Sequence, residues 1–316
     1  MRIIAMCGKG GVGKSTLAAS LALRAAALGQ RTLLFSVDPA HSLGTMLGQP
    51  LGHEPAAICD RLWAAELESA QSLEHDWADL RAYVQSLLES QGYEGRLGAE
   101  LTRWPGVDEF AALLRLKQFY DSGQFDTLIL DNAPTAFAMR LLGLPPIFAW
   151  YAKQAVKLYE RHGAQLLLMA PMLGGSLPLP GTPLIQRALS LIEQLRGLPA
   201  ILQDPAITSL RLVLTPDRLA LDEARRAYQH WTLDGLNVDA VLLNRTLPAS
   251  LTDPFFASRR TSEAAIRGEA GTLFDLAVRE VPLTAEEPIG LEALERFAAA
   301  AWPDSNPTAP LSDDRA

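Results

Sequence analysis

Residues 1–42 read MRIIAMCGKGGVGKSTLAASLALRAAALGQRTLLFSVDPAHS, and the pattern changes three times within them. Arg2–Met6 is a short apolar run of the kind that forms a strand buried on both faces. A glycine loop follows. Then Ser15–Leu28, rich in Ala and Leu, reads as a helix stopping at Gly29, where a left-handed residue commonly ends one. The loop satisfies the P-loop spacing: Gly8, four residues, Gly13, Lys14, Ser15. Glycines there let backbone N–H groups turn inward around phosphates at a helix N-terminus. Lys14 is placed to reach the β- and γ-phosphates, and the Ser15 hydroxyl to meet Mg²⁺.

The rest of the chain repeats the strand–helix alternation that signals a parallel sheet covered by helices. Further strands are predicted at Thr32–Val37, Asp126–Leu130, Arg211–Thr215, Ala240–Asn244 and Leu273–Val281. A second helix is predicted over Asp217–Trp231, with Ala220, Ala224, Ala227 and Trp231 on one face. Two regions break the rhythm. No strand is expected from Leu62 to Asp121, where Leu73, Trp77, Leu80, Val84 and Leu87 recur at helical steps. Residues 146–202 also read as helical, interrupted by APMLGGSLPLPGTP. The expected fold class is α/β: a doubly wound parallel sheet with an inserted helical subdomain (about 62–121 and 146–202). It forms a single domain over 1–302, and a Pro/Ser/Asp-rich tail over 303–316 is expected to fray.

Composition narrows the function classes. The net charge of −8 and the absence of a basic block argue against a nucleic-acid-coating surface. No long apolar run lacks Gly, Pro or a charge, and the apolar start is too short for a secretory signal, so a cytoplasmic location is expected. The two cysteines, Cys7 and Cys59, make no zinc spacing.

Lys9 is the unusual residue of the loop, too early to occupy the place of Lys14. Phosphoryl transfer gains from extra positive charge on the transferring group, often supplied by a second polypeptide. The sequence Gly8-Lys9-Gly10-Gly11-Val12-Gly13-Lys14-Ser15-Thr16 matches the "deviant" P-loop of ATPases related to nitrogenase iron protein and the bacterial septum-positioning ATPases. With DPAHSLGTML (38–47), PGVDE (105–109), DTLILDNAPTAFAMRLLGLP (126–145), VLLNRTLP (241–248) and VPLTAEEPIG (281–290), the chain resembles the arsenite-pump ATPase family. That family also contains the tail-anchored-protein targeting ATPases.

The resemblance implies ATP and Mg²⁺ as cofactors and a homodimer in which Lys9 reaches the partner's nucleotide. It implies that Asp38 directs the attacking water, that Ser15, Asp38 and Asp131 surround the metal, and that Asn244 reads adenine beneath a closing segment including Pro282 and Leu283. The second switch departs from the family's DTAPTGHTLR: Asn132, Ala136 and Phe137 stand in place of Thr, Gly and His. Ala is less permissive than Gly, so relay of the γ-phosphate signal, and with it the turnover rate, is in question.

Three uses of ATP compete. Arsenite wants about three thiolates, against two cysteines here, and the arsenite pump commonly uses a duplicated chain. Capture of a hydrophobic, membrane-anchor-like client is favoured by the apolar, Gly/Pro-broken stretch Gln165–Ile185. The targeting factors' zinc-clasping CxxC pair is missing, so no zinc site is expected. A nucleotide-gated regulatory scaffold docking on another protein is the third possibility; a membrane-pump subunit would be the partner if the ATPase energised arsenite or anion efflux.

Overall fold

The structure is a computed structural model that describes residues 1–38, 42–67, 107–131, 190, 193–303 and 306–310. Eight described strands form one sheet in the spatial order β3-β4-β2-β5-β1-β6-β7-β8. They are β1 (Arg2–Cys7), β2 (Thr32–Ser36), β3 (Ala56–Cys59), β4 (Leu62–Glu66), β5 (Thr127–Asp131), β6 (Thr208–Leu214), β7 (Val238–Thr246) and β8 (Ala277–Pro282). All neighbours run parallel except β3 and β4, an antiparallel pair at one edge. Chain order reverses around β1, so the crevice at its C-terminal end is where an open α/β sheet takes a ligand. The glycine loop leaves β1 there.

Burial explains why the central strands are mostly apolar. Every residue of β2, β5 and β6 is buried, as is all of β1 after Arg2. Helix α1 (Lys14–Ala27) owes its position to alanine: Ala18, Ala19, Ala22, Ala25 and Ala26 are buried around most of its circumference. Their small side chains let α1 sink into a core cluster shared with Leu294, Phe297, Ala298 and Trp302. The remaining described helices are α2 (Ser42–Leu47), α3 (Val107–Ser122), α4 (Leu198–Gln203), α5 (Arg218–Leu233), α6 (Ala257–Phe274) and α7 (Leu291–Ala301). Helix α5 begins as its sequence suggests, with the Asp217 carboxylate accepting from the Ala220 amide at 2.9 Å. None of the described helices is long and apolar enough to cross a membrane.

Three expectations need correction. Residues 62–66 are not part of a strandless helical region. They form β4, whose residues Leu62 to Glu66 pair in parallel with Thr32 to Ser36 of β2. Ala and Glu favour helix in isolation, but a place beside a buried parallel strand overrides that preference. The strand expected from Leu273 begins at Ala277, because α6 runs to Phe274 and Asp275 turns the chain at φ 50°. The tail does not fray over 306–310. Thr308 is buried and its hydroxyl accepts from the Gln30 side chain at 3.1 Å, while the Ala309 carbonyl accepts from Arg211 Nη2 at 2.8 Å.

The chain divides into two compact units. One, containing the sheet, comprises residues 1–68, 119–140 and 200–316; the other comprises 69–118 and 141–199. The amphipathic pattern at Leu73–Leu87 and the apolar stretch 165–185 lie outside the described residues.

The docked tail segment gives a direct test. Truncation after Pro303 removes the Ala309 carbonyl from Arg211, a side chain with no exposure. Leaving that buried donor unpaired should cost about 1–3 kcal/mol in urea unfolding. A frayed tail would cost nothing.

Candidate active site

The loop after β1 is held so tightly that two of its glycines are obligatory. Gly8 has φ 153°, and a Cβ there would collide with the Val213 carbonyl of β6. Gly13 has φ 93°, and a Cβ there would collide with the Asn244 side-chain amide. The loop backbone is therefore pressed between the C-terminal ends of β6 and β7. Gly10 and Gly11 lie exposed at its tip, whereas Val12 is buried. Helix α1 starts at Lys14 with no side-chain cap and no acid in its first turn. Its N-terminal amides and their positive dipole end are thus left for an anion.

Lys14 is buried, and its Nζ donates to the Lys9 carbonyl at 3.0 Å, folding the side chain back over the loop. Burial lowers its pKa, opposed by the negative groups Asp131, Cys7 and Asp38 nearby. Asp131, at the end of β5, is fully buried. Burial pushes its carboxyl up to about 6, against the neighbouring Ser15 hydroxyl, the charge of Lys14 and the Ser36 hydroxyl. At neutral pH it remains mostly ionised.

Its two oxygens differ. Oδ2 accepts from the Ser36 hydroxyl at 3.1 Å, while Oδ1 is buried with no hydrogen-bond partner among the described residues. A desolvated, unpaired carboxylate oxygen beside the Ser15 hydroxyl fits a hard divalent cation, which takes oxygen ligands and retains water. Asp38 follows β2, with its amide donating to Ser36 Oγ at 3.3 Å. Lys14, Ser15, Asp38 and Asp131 thus belong to one cluster, as the sequence suggests. Residues 39–41 and 132–140, which include the altered second switch, lie outside the described residues.

Ser36 was not anticipated. It is the one polar residue at the C-terminal end of TLLFS, placed where the strand meets the switch, and that position was the available signal. Glu66, which ends β4, was missed for the same reason that the strand was.

A cavity of about 230 Å³ is lined by Gly13, Thr16, Asn244, Pro282, Leu283 and neighbouring residues. Asn244 is buried and its Nδ2 donates to the Val12 carbonyl at 2.8 Å. One amide proton is therefore committed to the loop, leaving Oδ1 and the second proton for a ligand edge. The Leu283 amide donates to the Thr246 carbonyl at 2.9 Å, tying the covering segment to β7. Lys9 stands apart from this cavity, its Nζ 3.8 Å from Glu223 of α5, with both side chains about a third exposed.

Asn244→Ala removes the tether to Val12 and one wall of the cavity. Affinity for a fluorescent ATP analogue should fall about tenfold, the size of one buried hydrogen bond. Gly13→Ala should lose more, because it displaces Asn244 and strains a positive φ.

Residues 1–301 match the anion-transporting ATPase family. A protein of Aquifex aeolicus carrying the provisional name arsenical pump-driving ATPase 1 is 32% identical, over 97% of this chain and 80% of its own. A relative of the same provisional description from Chlorobaculum tepidum is 32% identical, over 99% of this chain and 78% of its own. The ATPase GET3 of Chaetomium globosum is 29% identical, over 94% of this chain and 89% of its own. A glycine loop wedged against two strands, an uncapped helix N-terminus and these similarities agree: the chain belongs to the anion-transporting ATPase family and is an ATP-hydrolysing enzyme.

Proposed function

We propose that this ATPase is a Mg²⁺-dependent, nucleotide-gated homodimer that captures a hydrophobic, membrane-anchor-like protein client. The observation that carries the catalytic half is the unpaired, buried Asp131 Oδ1 beside Lys14 and Ser15. Ser15 and Asp131 would hold the metal, with Asp38 beside them. When bound, Mg²⁺ neutralises charge on the β- and γ-phosphates and fixes their geometry. Lys14 and the loop amides position the triphosphate, Asn244 and the Pro282–Leu283 segment enclose the base, and Asp38 orients the attacking water.

Lys9 is suited to act on a second copy because nothing strong retains it at home. Among the described residues its ion pair is the long, partly solvated one with Glu223, and such pairs contribute little. A flexible lysine at the loop's outer edge can reach a triphosphate presented across a two-fold interface.

The client reading draws support from the GET3 relatives, which match along most of their length, and from the chain's thiols. Cys7 is buried at the foot of the loop and Cys59 is exposed elsewhere. Among the described residues no group of three His, Cys, Asp or Glu side chains could hold a metal ion. A soft trivalent metalloid wants about three thiolates.

Lys14→Ala should abolish nucleotide binding. Asp38→Asn should bind ATP but turn over at least ~10²-fold more slowly, the usual scale for loss of a general base. Lys9→Ala should bind nucleotide as a monomer yet lose ATP-dependent dimerisation in analytical ultracentrifugation. A hydrophobic helix peptide should co-elute with the ATP-loaded protein and not with the ADP form. Stimulation of turnover by arsenite instead would overturn the client reading in favour of an efflux ATPase, and stimulation by neither would favour docking on another protein.

A further inference from the structure

Asp131, Ser36 and Glu66 sit at the same register on three adjacent parallel strands, β5, β2 and β4. Matched positions on parallel strands send their side chains to the same face, which makes a short polar row along the C-terminal rim of the sheet. Asp131 belongs to the site already described. Glu66 has no role in it, yet it is a buried carboxylate, 4% exposed, and burying a charge requires that its hydrogen bonds be kept.

The bonds it keeps go to the backbone that follows the first switch. Glu66 Oε1 accepts from the Leu43 amide at 2.7 Å and from the Gly44 amide at 3.1 Å, at the start of α2. A carboxylate accepting two backbone amides makes charge-assisted bonds, stronger than neutral ones. A Cβ at Gly44 would lie 2.9 Å from the Gln49 carbonyl, so glycine there keeps α2 close to the turn that follows it. On the other side of residues 39–41, Ser36 Oγ accepts from the Asp38 amide at 3.3 Å while donating to Asp131 at 3.1 Å. The first switch is therefore pinned at both ends by neighbours in one row.

We infer that Glu66 is a positioning residue for ATP hydrolysis, fixing the downstream end of the segment that carries Asp38 while Ser36 fixes the upstream end. The inference rests on the reading of Asp38 as the residue that orients water. Glu66 touches neither nucleotide nor water. It acts by limiting where the Asp38 carboxylate can stand, and near-attack geometry is sensitive to displacements of about 1 Å. Ser36 couples the same segment to Asp131, so the two clamps share a foundation.

The test uses Glu66→Ala, Glu66→Gln and, in parallel, Asp38→Asn in the full chain. Hydrogen exchange followed by mass spectrometry reports the amides of residues 42–47 without reference to catalysis. In Glu66→Ala these amides should exchange at least about tenfold faster, with the β6 and β7 amides unchanged. Affinity for the ATP analogue should stay within about twofold while kcat falls about tenfold or more. Glu66→Gln, which keeps one accepting oxygen, should recover most of both.

Faster exchange at 42–47 with undiminished kcat would overturn the inference. So would exchange raised throughout the sheet with nucleotide affinity and kcat lost together in both Glu66 variants, since that describes a purely structural residue. If Asp38→Asn hydrolyses ATP at the parent rate, the water-orienting reading fails by itself, and the Glu66 variants still show whether the clamp governs kcat.

Discussion

The catalytic end of this protein depends on one electrostatic constraint: a carboxylate, Asp131, buried at the centre of an eight-stranded sheet with one oxygen lacking a hydrogen-bond partner among the described residues. The charge is tolerable because Lys14, Ser15 and Ser36 converge on it. They arrive from two elements: Lys14 and Ser15 from the helix start, Ser36 from the adjacent strand. The helix start is in turn fixed by the loop, and the loop by contacts with β6 and β7 that only glycine allows. Disturbing any one of these supports acts on the same carboxylate.

The first forty residues were legible because local and tertiary demands agree there. A strand buried on both faces must be apolar, a loop wrapping an anion must be glycine-rich, and a helix sunk in a core benefits from alanine. Each requirement leaves a mark readable without knowledge of the neighbours. The edge pair β3–β4 was not legible: AAIC and LWAAE carry the residues of a helix, and only the proximity of β2 makes them strands. Glu66 went unnoticed with its strand, since a Glu in a helical reading is a solvated side chain and in β4 it is a buried acceptor.

The tail shows the same limit from the opposite direction. A Pro/Ser/Asp-rich segment has the composition of a disordered end, yet residues 306–310 cover the otherwise buried Arg211, whose guanidinium lies 5.4 Å from the Trp302 ring. Arg211 sits mid-strand in β6, where Asp239 of β7 pairs with it at 3.5 Å and the Ala309 carbonyl adds an acceptor from outside the sheet. A composition-based reading of the tail cannot register a debt incurred a hundred residues earlier. Site residues differ in legibility for a related reason: Asn244 was recognisable, but its amide also serves the loop, and that sharing is set by how closely Gly13 approaches.

The route of the chain through its second unit adds a mechanical consequence. That unit is entered just past Glu66 and again a short way past Asp131. Both excursions thus leave from strands that end in the polar row, and both are covalently in series with it. Two residues separate Glu66 from the first departure and nine separate Asp131 from the second, so the chain leaves its sheet-bearing unit from the same rim both times.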